Sequence, residues 1–325
     1  MTQPSVHTSF DTSLVDLHPN ISFSTTESDP SDAGMSTTTQ ANPTSAPSPL
    51  AQDIGQTKPQ ASQAIPPKTS TPVQHIGTQD AYDQWASVYD TDGNMLQSID
   101  DDELNTLLPP LLDKTTASSS DSISVLDLGC GTGRNTARLL AYAWPADKSI
   151  SVTGLDFSAG MLLLASSKLA PLVASAPNLS LRLEQCNPFP SPPSPRFSPQ
   201  GLGISQQHLV LSTLVLEHIP LDAFFSTLTT LLAPGGTALL TNMHADMGAV
   251  SQAGFVNAEG VKVRGESFVY TLAQTVQAAQ DVGLQVVVVR ERRVGREDVE
   301  RGVVGKRGEK WMCVKVWFGV VVKKT

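Results

Sequence analysis

The spacing of apolar residues divides this chain into an N-terminal segment without periodicity and a long stretch of alternating strand-like and helix-like runs. Residues 1–75 are rich in Ser, Thr, Pro and Gln and contain few large apolar side chains. Such a segment cannot bury enough apolar surface to offset the entropy lost on ordering, so we predict a disordered tail. Residues 76–325 are predicted to form one folded domain.

The clearest strand-to-helix transition begins with the short apolar run Ser124–Leu128, which is typical of a strand buried on both faces. Three glycines follow at alternate positions, namely Gly129, Gly131 and Gly133. Glycine is needed where the backbone turns sharply and approaches a ligand closely. A second strand-like run ends at Asp156, at the spacing where α/β nucleotide-binding folds place an acid against a ribose. These features predict a nucleoside-binding half of a parallel sheet.

The spacing of the glycines distinguishes a dinucleotide-binding site from other nucleoside-binding sites. The dinucleotide fingerprint is G-x-G-x-x-G, whereas here the third glycine comes one residue early and Arg134 stands in its place. With Asp127 ahead of the glycines, the string DLGCGTG resembles the first motif of class I S-adenosylmethionine-dependent methyltransferases. The resemblance implies a three-layer Rossmann-like α/β domain with a seven-stranded, mostly parallel sheet and an antiparallel last strand. It also implies S-adenosyl-L-methionine as cofactor, bound by Asp127, the three glycines and Asp156.

A segment ahead of this motif extends the resemblance. Asp80 is predicted to cap a helix that carries Tyr82, Trp85 and Tyr89 on one face. This segment is similar to the one that precedes the nucleotide fold in the small-molecule branch of the family, of the ubiquinone and menaquinone biosynthesis type. There the helix covers the cofactor and an aromatic side chain lies near its methionine end. The resemblance assigns that role to Tyr89, with Tyr82 as a second candidate and core packing as the alternative for either. The helix that follows carries a leucine stripe that Pro109–Pro110 interrupts, and this helix is assigned to packing.

Later segments complete the implied cofactor site. Family members commonly hold the adenine between apolar side chains, which makes Phe157 and Met161 candidates, with core packing as the rival explanation for both. In the family, an acidic residue after the third strand meets the adenine amino group. No acid stands at that position here, so Cys186 or Asn187 would face the amino group. A fourth strand ends at Ser212, beside the position that the family gives to the transferring methyl group, and Ser212 is therefore included among the cofactor-binding residues.

Two irregular segments bear on the methyl acceptor. Residues 188–206 are rich in Pro and Ser and are predicted to form a surface loop. Residues 243–268 follow the fifth strand and are predicted to cover the substrate, because ligands bind beyond the carboxyl ends of parallel strands. Candidates for acceptor contact in this segment are Met243, His244, Met247 and Phe255, with an ordinary loop role as the alternative. A phenol or carbon acceptor needs a general base, whereas a neutral amine does not. His244 is favoured as that base over His218, which belongs to a helix-start string.

Charge and cysteine content exclude other classes. A formal net charge of −9 and the lack of a clustered basic face argue against a nucleic-acid partner. The basic residues of 290–310 are interleaved with acids and are interpreted as a solvated strand and loop. Three cysteines without a C-x-x-C pair argue against a disulfide framework or structural zinc, and favour a cytoplasmic location. Because no apolar run approaches ~20 residues and no compact ligand cluster is present, neither a membrane span nor a metal is expected.

The sequence therefore predicts methyl transfer from S-adenosyl-L-methionine to a small-molecule acceptor. The acceptor atom and the oligomeric state are left open. Two alternatives belong to other classes: a non-catalytic methyltransferase-like module that regulates a partner, and a nucleotide-dependent oxidoreductase, which the glycine spacing disfavours.

Overall fold

The order of strands and helices follows the alternation expected from the sequence, in a computed structural model that describes residues 25–27, 73–117, 120–174, 176–189 and 198–325. The strands are β1 (Thr25–Glu27), β2 (Val73–His75), β3 (Ser122–Leu128), β4 (Ser149–Asp156), β5 (Leu179–Gln185), β6 (Gln207–Thr213), β7 (Leu232–Met243), β8 (Ser251–Ala253), β9 (Phe255–Val256), β10 (Lys262–Arg264), β11 (Leu284–Arg293) and β12 (Lys315–Lys324). The helices are α1 (Thr78–Tyr89), α2 (Met95–Thr116), α3 (Arg134–Ala141), α4 (Ala159–Ala174), α5 (Leu221–Leu231), α6 (Ala245–Gly248), α7 (Leu272–Asp281), α8 (Arg296–Glu300) and α9 (Gly305–Gly308). Most of the predicted tail, and residues 190–197 of the predicted surface loop, lie outside the described residues.

A seven-stranded sheet forms the centre of the domain, with the spatial order β11-β12-β7-β6-β3-β4-β5. The strands from β7 to β5 pair in parallel, whereas β12 is antiparallel to both β7 and β11. The prediction of a mostly parallel sheet with an antiparallel last strand is confirmed. The chain adds β4 and β5 on one side of β3 and then β6 and β7 on the other. The direction of winding thus reverses at β3, which is where open α/β sheets bind their ligands.

The two faces of this sheet bury separate apolar clusters. Within β3, Ile123 and Val125 pack on one face, while Leu126 and Leu128 pack on the other. Helices α2, α3 and α4 contribute to the first cluster, and α5 and α7 to the second. Because β3 is buried on both faces, its apolar residues occupy both faces of the strand rather than one. The arrangement is the predicted three-layer α/β fold. No helix in the described part of the chain is long enough and apolar enough to cross a membrane.

Helix α2 continues through Pro109–Pro110, the two residues that interrupt its leucine stripe. Both prolines are exposed, and each lacks the amide hydrogen that an interior helical residue donates. The Asn94 side chain caps the start of α2, and buried leucines flank the prolines on either side, among them Leu108 and Leu112. Burying a leucine side chain stabilises by about 1.5–3 kcal/mol. Tertiary packing therefore outweighs the local cost of the prolines.

The predicted substrate cover packs against the N-terminal helix. Strands β2, β10 and β9 form a small sheet beside α1. In the resulting cluster, the rings of Trp85 and Phe255 stack with centroids 5.5 Å apart. The indole nitrogen of Trp85 also donates to Asp92 at 2.8 Å. Helix α1 begins after Gly77, which corrects the expected N-cap at Asp80. These contacts make α1 and the cover segment one structural unit over the carboxyl edge of the sheet.

The basic cluster near the C-terminus is ion-paired rather than simply solvated, which corrects the interpretation from sequence. Arg290 and Arg292 reach Glu103 of α2 at 3.0 and 3.2 Å. Arg301 reaches Asp102 at 3.1 Å. Since these pairs are partly exposed, each contributes little to stability by itself. Together they join the edge strand β11 and the α8 region to the acidic run of α2.

Candidate active site

A cleft of about 510 Å³ opens at the carboxyl ends of β3, β4 and β6, beneath α1. Its volume lies within the ~300–1,000 Å³ typical of small-molecule sites. Sequence-predicted residues that line the cleft are Tyr82, Tyr89, Gly129, Gly131, Asp156, Phe157, Asn187 and His218. The cleft therefore joins most of the implied cofactor residues to one of the two candidate bases.

The glycine loop at the end of β3 forms the floor of the cleft. Gly129 and Gly131 have φ of +77° and +53°, a left-handed conformation that favours glycine. A Cβ on Gly129 would lie 2.3 Å from Val215 Cγ2, so glycine is needed there for close packing. A Cβ on Gly131 would meet no protein atom within 4 Å, because that residue faces the open cleft. The backbone at Gly131 is thus available to a ligand.

Asp156 at the end of β4 ties this loop to the next helix. Its Oδ2 accepts a hydrogen bond from the Gly131 amide at 2.8 Å, and its Oδ1 accepts one from the Ser158 amide at 2.9 Å. Burial raises the pKa of the Asp156 carboxyl, while the backbone donors oppose that effect. The Ser158 hydroxyl accepts from the Met161 amide and caps the start of α4, as predicted. Asp156 therefore holds the glycine loop in place and still borders the cleft.

Two aspartates hold α1 across the mouth of this site, a role that sequence reasoning did not assign. Asp83 Oδ1 accepts from the Ser158 hydroxyl at 2.5 Å and from the Gly160 amide at 3.0 Å. Directly after Tyr89, Asp90 accepts from the Thr132 hydroxyl at 2.6 Å. The seven-residue spacing of the two acids was visible in the sequence and matches that of Tyr82 and Tyr89. It places the two acids about two turns apart on one side of the helix, next to the side that carries the two tyrosines.

The cleft is also lined by Phe157, Asn187 and Phe189. Asn187 Oδ1 accepts from the Phe189 amide at 2.9 Å, which fixes the turn after β5. Cys186 packs instead against the apolar cluster on the α5 side of the sheet, and burial raises its pKa to about 11. Of the two alternatives for the missing family acid, only Asn187 borders the cleft.

Four further predicted residues act through packing or internal hydrogen bonds and do not line the cleft. Asp127 is buried and accepts from the Thr136 hydroxyl at 2.6 Å; burial raises its pKa to about 6. Ser212 donates to the last carbonyl of β3 at 2.9 Å. A Cβ on Gly133 would lie 2.9 Å from a side chain of α4. Met161 is fully buried within α4.

His218 and Tyr82 form a hydrogen-bonded pair on the wall of the cleft. His218 Nδ1 lies 2.7 Å from the carbonyl oxygen of Glu266, which can only accept, so Nδ1 carries the hydrogen. Burial lowers the pKa of His218, which favours the neutral ring. Nε2 is then an acceptor and takes the Tyr82 hydroxyl hydrogen at 2.8 Å. Burial raises the pKa of Tyr82 well above its ordinary value, so that hydroxyl stays protonated.

Behind this pair lies a buried carboxyl that the sequence did not single out. Glu217 is 3% exposed, and burial raises its pKa to about 8. Its Oε1 lies 3.9 Å from His218 Nε2, and its Oε2 has no hydrogen-bond partner among the described residues. The neighbouring Leu214 has φ of +56°, which is uncommon for a residue other than glycine. Strained backbone of this kind tends to be retained at functional sites.

The structure places the favoured base, His244, outside the cleft. His244 Nε2 lies 2.8 Å from Glu291 Oε1, and its Nδ1 accepts from the Asp246 amide at 3.0 Å as the cap of α6. The other cover candidates do not line the cleft either: Met247 and Phe255 are buried in the apolar clusters, and Met243 borders only a small adjoining cavity. The cover contributes Glu266 and Phe268 in their place.

Comparisons with known proteins agree with this geometry. The profile of a methyltransferase domain matches residues 126–238, which contain the glycine loop, Asp156 and His218. An uncharacterized methyltransferase of Emericella nidulans is 41% identical over 265 residues, covering 76% of this chain and 91% of that protein. The chain belongs to the methyltransferase family. It is an S-adenosylmethionine-dependent methyltransferase, and the oxidoreductase alternative is set aside.

Solved structures of the family show a similar fold at low identity. An S-adenosylmethionine-dependent methyltransferase from Mesorhizobium loti has 17% identity and a TM-score of 0.43, covering 66% of this chain and 96% of that one. A magnesium protoporphyrin IX methyltransferase from Synechocystis, solved with bound SAH, has 14% identity and a TM-score of 0.48, covering 76% and 94%. At such identities the likeness of this methyltransferase to either structure concerns the fold alone.

Proposed function

We propose that this methyltransferase binds S-adenosyl-L-methionine along the glycine loop and transfers its methyl group to a small organic molecule beside Tyr82 and His218. The observation that supports this most is the continuity of one cleft from Asp156 to His218. One wall carries the residues that the family uses for the donor. The same lining carries a hydrogen-bonded pair, Tyr82 and His218, that can accept a proton.

The donor end of the cleft fits the adenosyl cofactor. Gly131 presents its backbone to open space, and a side chain there would fill part of the cleft. Asp156 keeps the loop in this conformation, while Phe157 and Asn187 border the proposed adenine position. The sulfonium of the cofactor supplies a good leaving group, so the transfer is a displacement in line with the S–CH3 bond. The protein's task is then to orient the acceptor and exclude water, which can supply a large share of the rate.

The acceptor end is formed by side chains from distant parts of the chain. Tyr82 lies on α1, and His218 lies in the turn after β6. The end of the cover segment contributes Glu266 and Phe268. The Tyr82–His218 pair can take a proton from an acceptor, because the Tyr82 oxygen has a free lone pair while its hydrogen already points to Nε2. The described residues that line the cleft include no lysine or arginine to contact phosphate groups, which supports a small molecule rather than a nucleic acid.

Thermal unfolding of the full-length protein with saturating ligands tests this proposal. S-adenosylmethionine and S-adenosylhomocysteine should each raise the unfolding midpoint by a few degrees, since a ligand at 100 times its Kd stabilises the native state by about 2.7 kcal/mol. Asp156→Ala should lose this shift. Asp281→Asn, a change at an exposed carboxylate of α7 that accepts from Gln277, should keep it. A shift with NADH alone would contradict the proposal. An acceptor screen that detects S-adenosylhomocysteine formation then tests transfer itself.

A further inference from the structure

The cleft has a charge pattern that bears on the chemistry of the acceptor. No lysine or arginine is among the described residues that line it, whereas Asp80, Asp156 and Glu266 contribute carboxyl groups. Asp80 and Glu266 are exposed and screened by solvent, whereas the buried Asp156 attracts a cation and repels an anion more strongly. A carboxylate or phosphate acceptor would therefore find no counter-charge in this lining.

Glu217 adds a further carboxyl directly behind the inner end of the cleft. Tyr82, Tyr89 and Leu214 line both the cleft and a small cavity of about 10 Å³, and Glu217 borders that cavity. Its Oε2 is buried and has no hydrogen-bond partner in the described part of the chain. Burying a polar group without a partner is costly, so a native protein that retains one calls for an explanation. A cation on the cleft side of the wall would favour ionisation of this carboxyl by electrostatic attraction, without contacting it.

Aromatic rings pack around Tyr82, and Tyr82, Tyr89 and Phe157 are among the residues that line the cleft. The ring centroid of Tyr82 lies 5.7 Å from that of Trp85, 6.0 Å from that of Tyr89 and 6.2 Å from that of Phe157. Aromatic faces attract an ammonium group within about 6 Å of the ring centroid, most strongly when the cation is desolvated. Aromatic walls with a carboxyl behind them form a site that suits an organic ammonium group.

We propose that the methyl acceptor is an amine, which binds in its ammonium form against Tyr82 and Tyr89 with Glu217 behind them as counter-charge. This inference rests on the proposed function and names the substrate class for the same cleft. Glu217 is a positioning residue, because Tyr82 and Leu214 separate its carboxyl from the cleft. Tyr82 and His218 contact the acceptor and its departing proton.

The chemistry balances with the groups present. The bound ammonium passes one proton to the Tyr82 oxygen as the Tyr82 hydroxyl hydrogen moves to His218 Nε2. The nitrogen lone pair then forms the N–CH3 bond, and the S–CH3 bond breaks with its electron pair remaining on sulfur. The product ammonium carries the positive charge that leaves the sulfonium, and the imidazolium returns its proton to solvent.

Binding of a model cation provides the first test. The full-length protein saturated with S-adenosylhomocysteine is titrated with choline and with its uncharged isostere 3,3-dimethylbutan-1-ol. Choline should bind at least tenfold more tightly. Glu217→Gln should remove most of this preference, because the amide cannot become an anion. Glu291→Gln changes a carboxylate that pairs with His244 and Lys315 outside the cleft, and should leave the preference unchanged.

Proton release by the unmodified protein provides a second test that needs no variant. The Glu217 carboxyl has a pKa of about 8 and is mostly protonated at pH 7. A nearby cation favours the carboxylate, so choline binding at pH 7 should release a proton, measured by calorimetry in buffers of different ionisation enthalpy. The facing titratable groups are Tyr82, Tyr89, Asp92 and His218. Both tyrosines have raised pKa values and His218 a lowered one, so none of these three is a source of the proton at that pH.

Two results would overturn the amine proposal. Equal affinity for choline and the uncharged isostere, or choline binding without proton release, would show that the site does not select a cation. If Glu217→Gln weakens S-adenosylmethionine relative to S-adenosylhomocysteine while leaving choline affinity intact, Glu217 serves the donor's sulfonium instead. Failure of the unmodified protein to bind S-adenosylhomocysteine would refute the proposed function itself, so the two failures are distinguishable.

Discussion

The donor end and the acceptor end of the cleft are built in different ways. At the donor end, Asp156 holds Gly131 across 25 residues through a backbone amide, and both follow adjacent strands of the sheet. At the acceptor end, Tyr82 meets His218 across 136 residues, and His218 meets the carbonyl of Glu266 across another 48. The first end depends on main-chain geometry, and the second on side chains brought together by α1 and the cover.

This difference predicts how amino-acid substitutions at each end should affect binding and turnover. A site formed by backbone atoms tolerates few substitutions, because an added Cβ fills space that the ligand occupies or disfavours the backbone conformation that the site requires. A side-chain site can exchange its chemistry without disturbing the sheet. We therefore expect substitutions at the donor end to abolish cofactor binding, and those at the acceptor end to change turnover and pH dependence.

The largest expected effect concerns Gly131. Gly131→Ala should weaken S-adenosylmethionine binding at least a hundredfold, about 2.7 kcal/mol, because the new Cβ enters the cleft. Gly260→Ala is the matched control, since Gly260 has φ of +75° and likewise no atom within 4 Å of a Cβ, but does not line the cleft. Both should lose a similar roughly 1–2 kcal/mol of stability to left-handed strain. Calorimetry and thermal unfolding separate the two effects; equal cofactor affinity in both variants would contradict this account.

The next effect is a pH dependence of stability that comes from Glu217. Burial raises the pKa of this carboxyl from 4.5 to about 8, so the folded state holds the proton more tightly than the unfolded state. Its contribution is fully present below about pH 4.5 and is lost as the pH rises through 8. From pH 5 to 7 the wild type should lose about 2.5 kcal/mol relative to Glu217→Gln. Urea unfolding at several pH values measures this difference.

Titration of His218 does not affect the comparison of stability between wild type and Glu217→Gln. Burial lowers its pKa, so its contribution to stability increases as the pH rises through about 6.5, the opposite sign to that of Glu217. The contribution is present in both proteins and cancels in the difference between them. Parallel stability curves for wild type and Glu217→Gln would show that the Glu217 pKa is not raised.

The smallest expected effect is on kcat, and it distinguishes His218 from His244. His218→Gln should lower kcat about tenfold, or 1.4 kcal/mol, with donor affinity within twofold of wild type, because it removes the acceptor for the Tyr82 hydroxyl. His244→Gln should leave kcat within twofold, since both ring nitrogens bond outside the cleft. Steady-state kinetics on an accepted substrate measures both. A larger loss from His244→Gln than from His218→Gln would reverse the assignment made from the geometry.

The residues that sequence reasoning placed well share one property. Gly129, Gly131 and Asp156 sit at the ends of buried strands, where glycine spacing and strand length constrain their positions. His244 was favoured because it follows the fifth strand, yet its ring turns toward Glu291 on β11. The position of a residue along the chain does not determine the direction in which its side chain points. The role of Asp83 was missed for the same reason, since its partners Ser158 and Gly160 lie far away in sequence.

The amino-acid sequence by itself determined the fold class, the family and the donor loop of this methyltransferase. Apolar periodicity and glycine conformation act over a few residues, and the sheet follows from them. Only the tertiary structure decided which histidine meets the cleft, that α2 runs through two prolines, and that a carboxyl is buried behind Tyr82. Those outcomes depend on packing between segments more than a hundred residues apart, where burial outweighs local preference and sets the charge of each group.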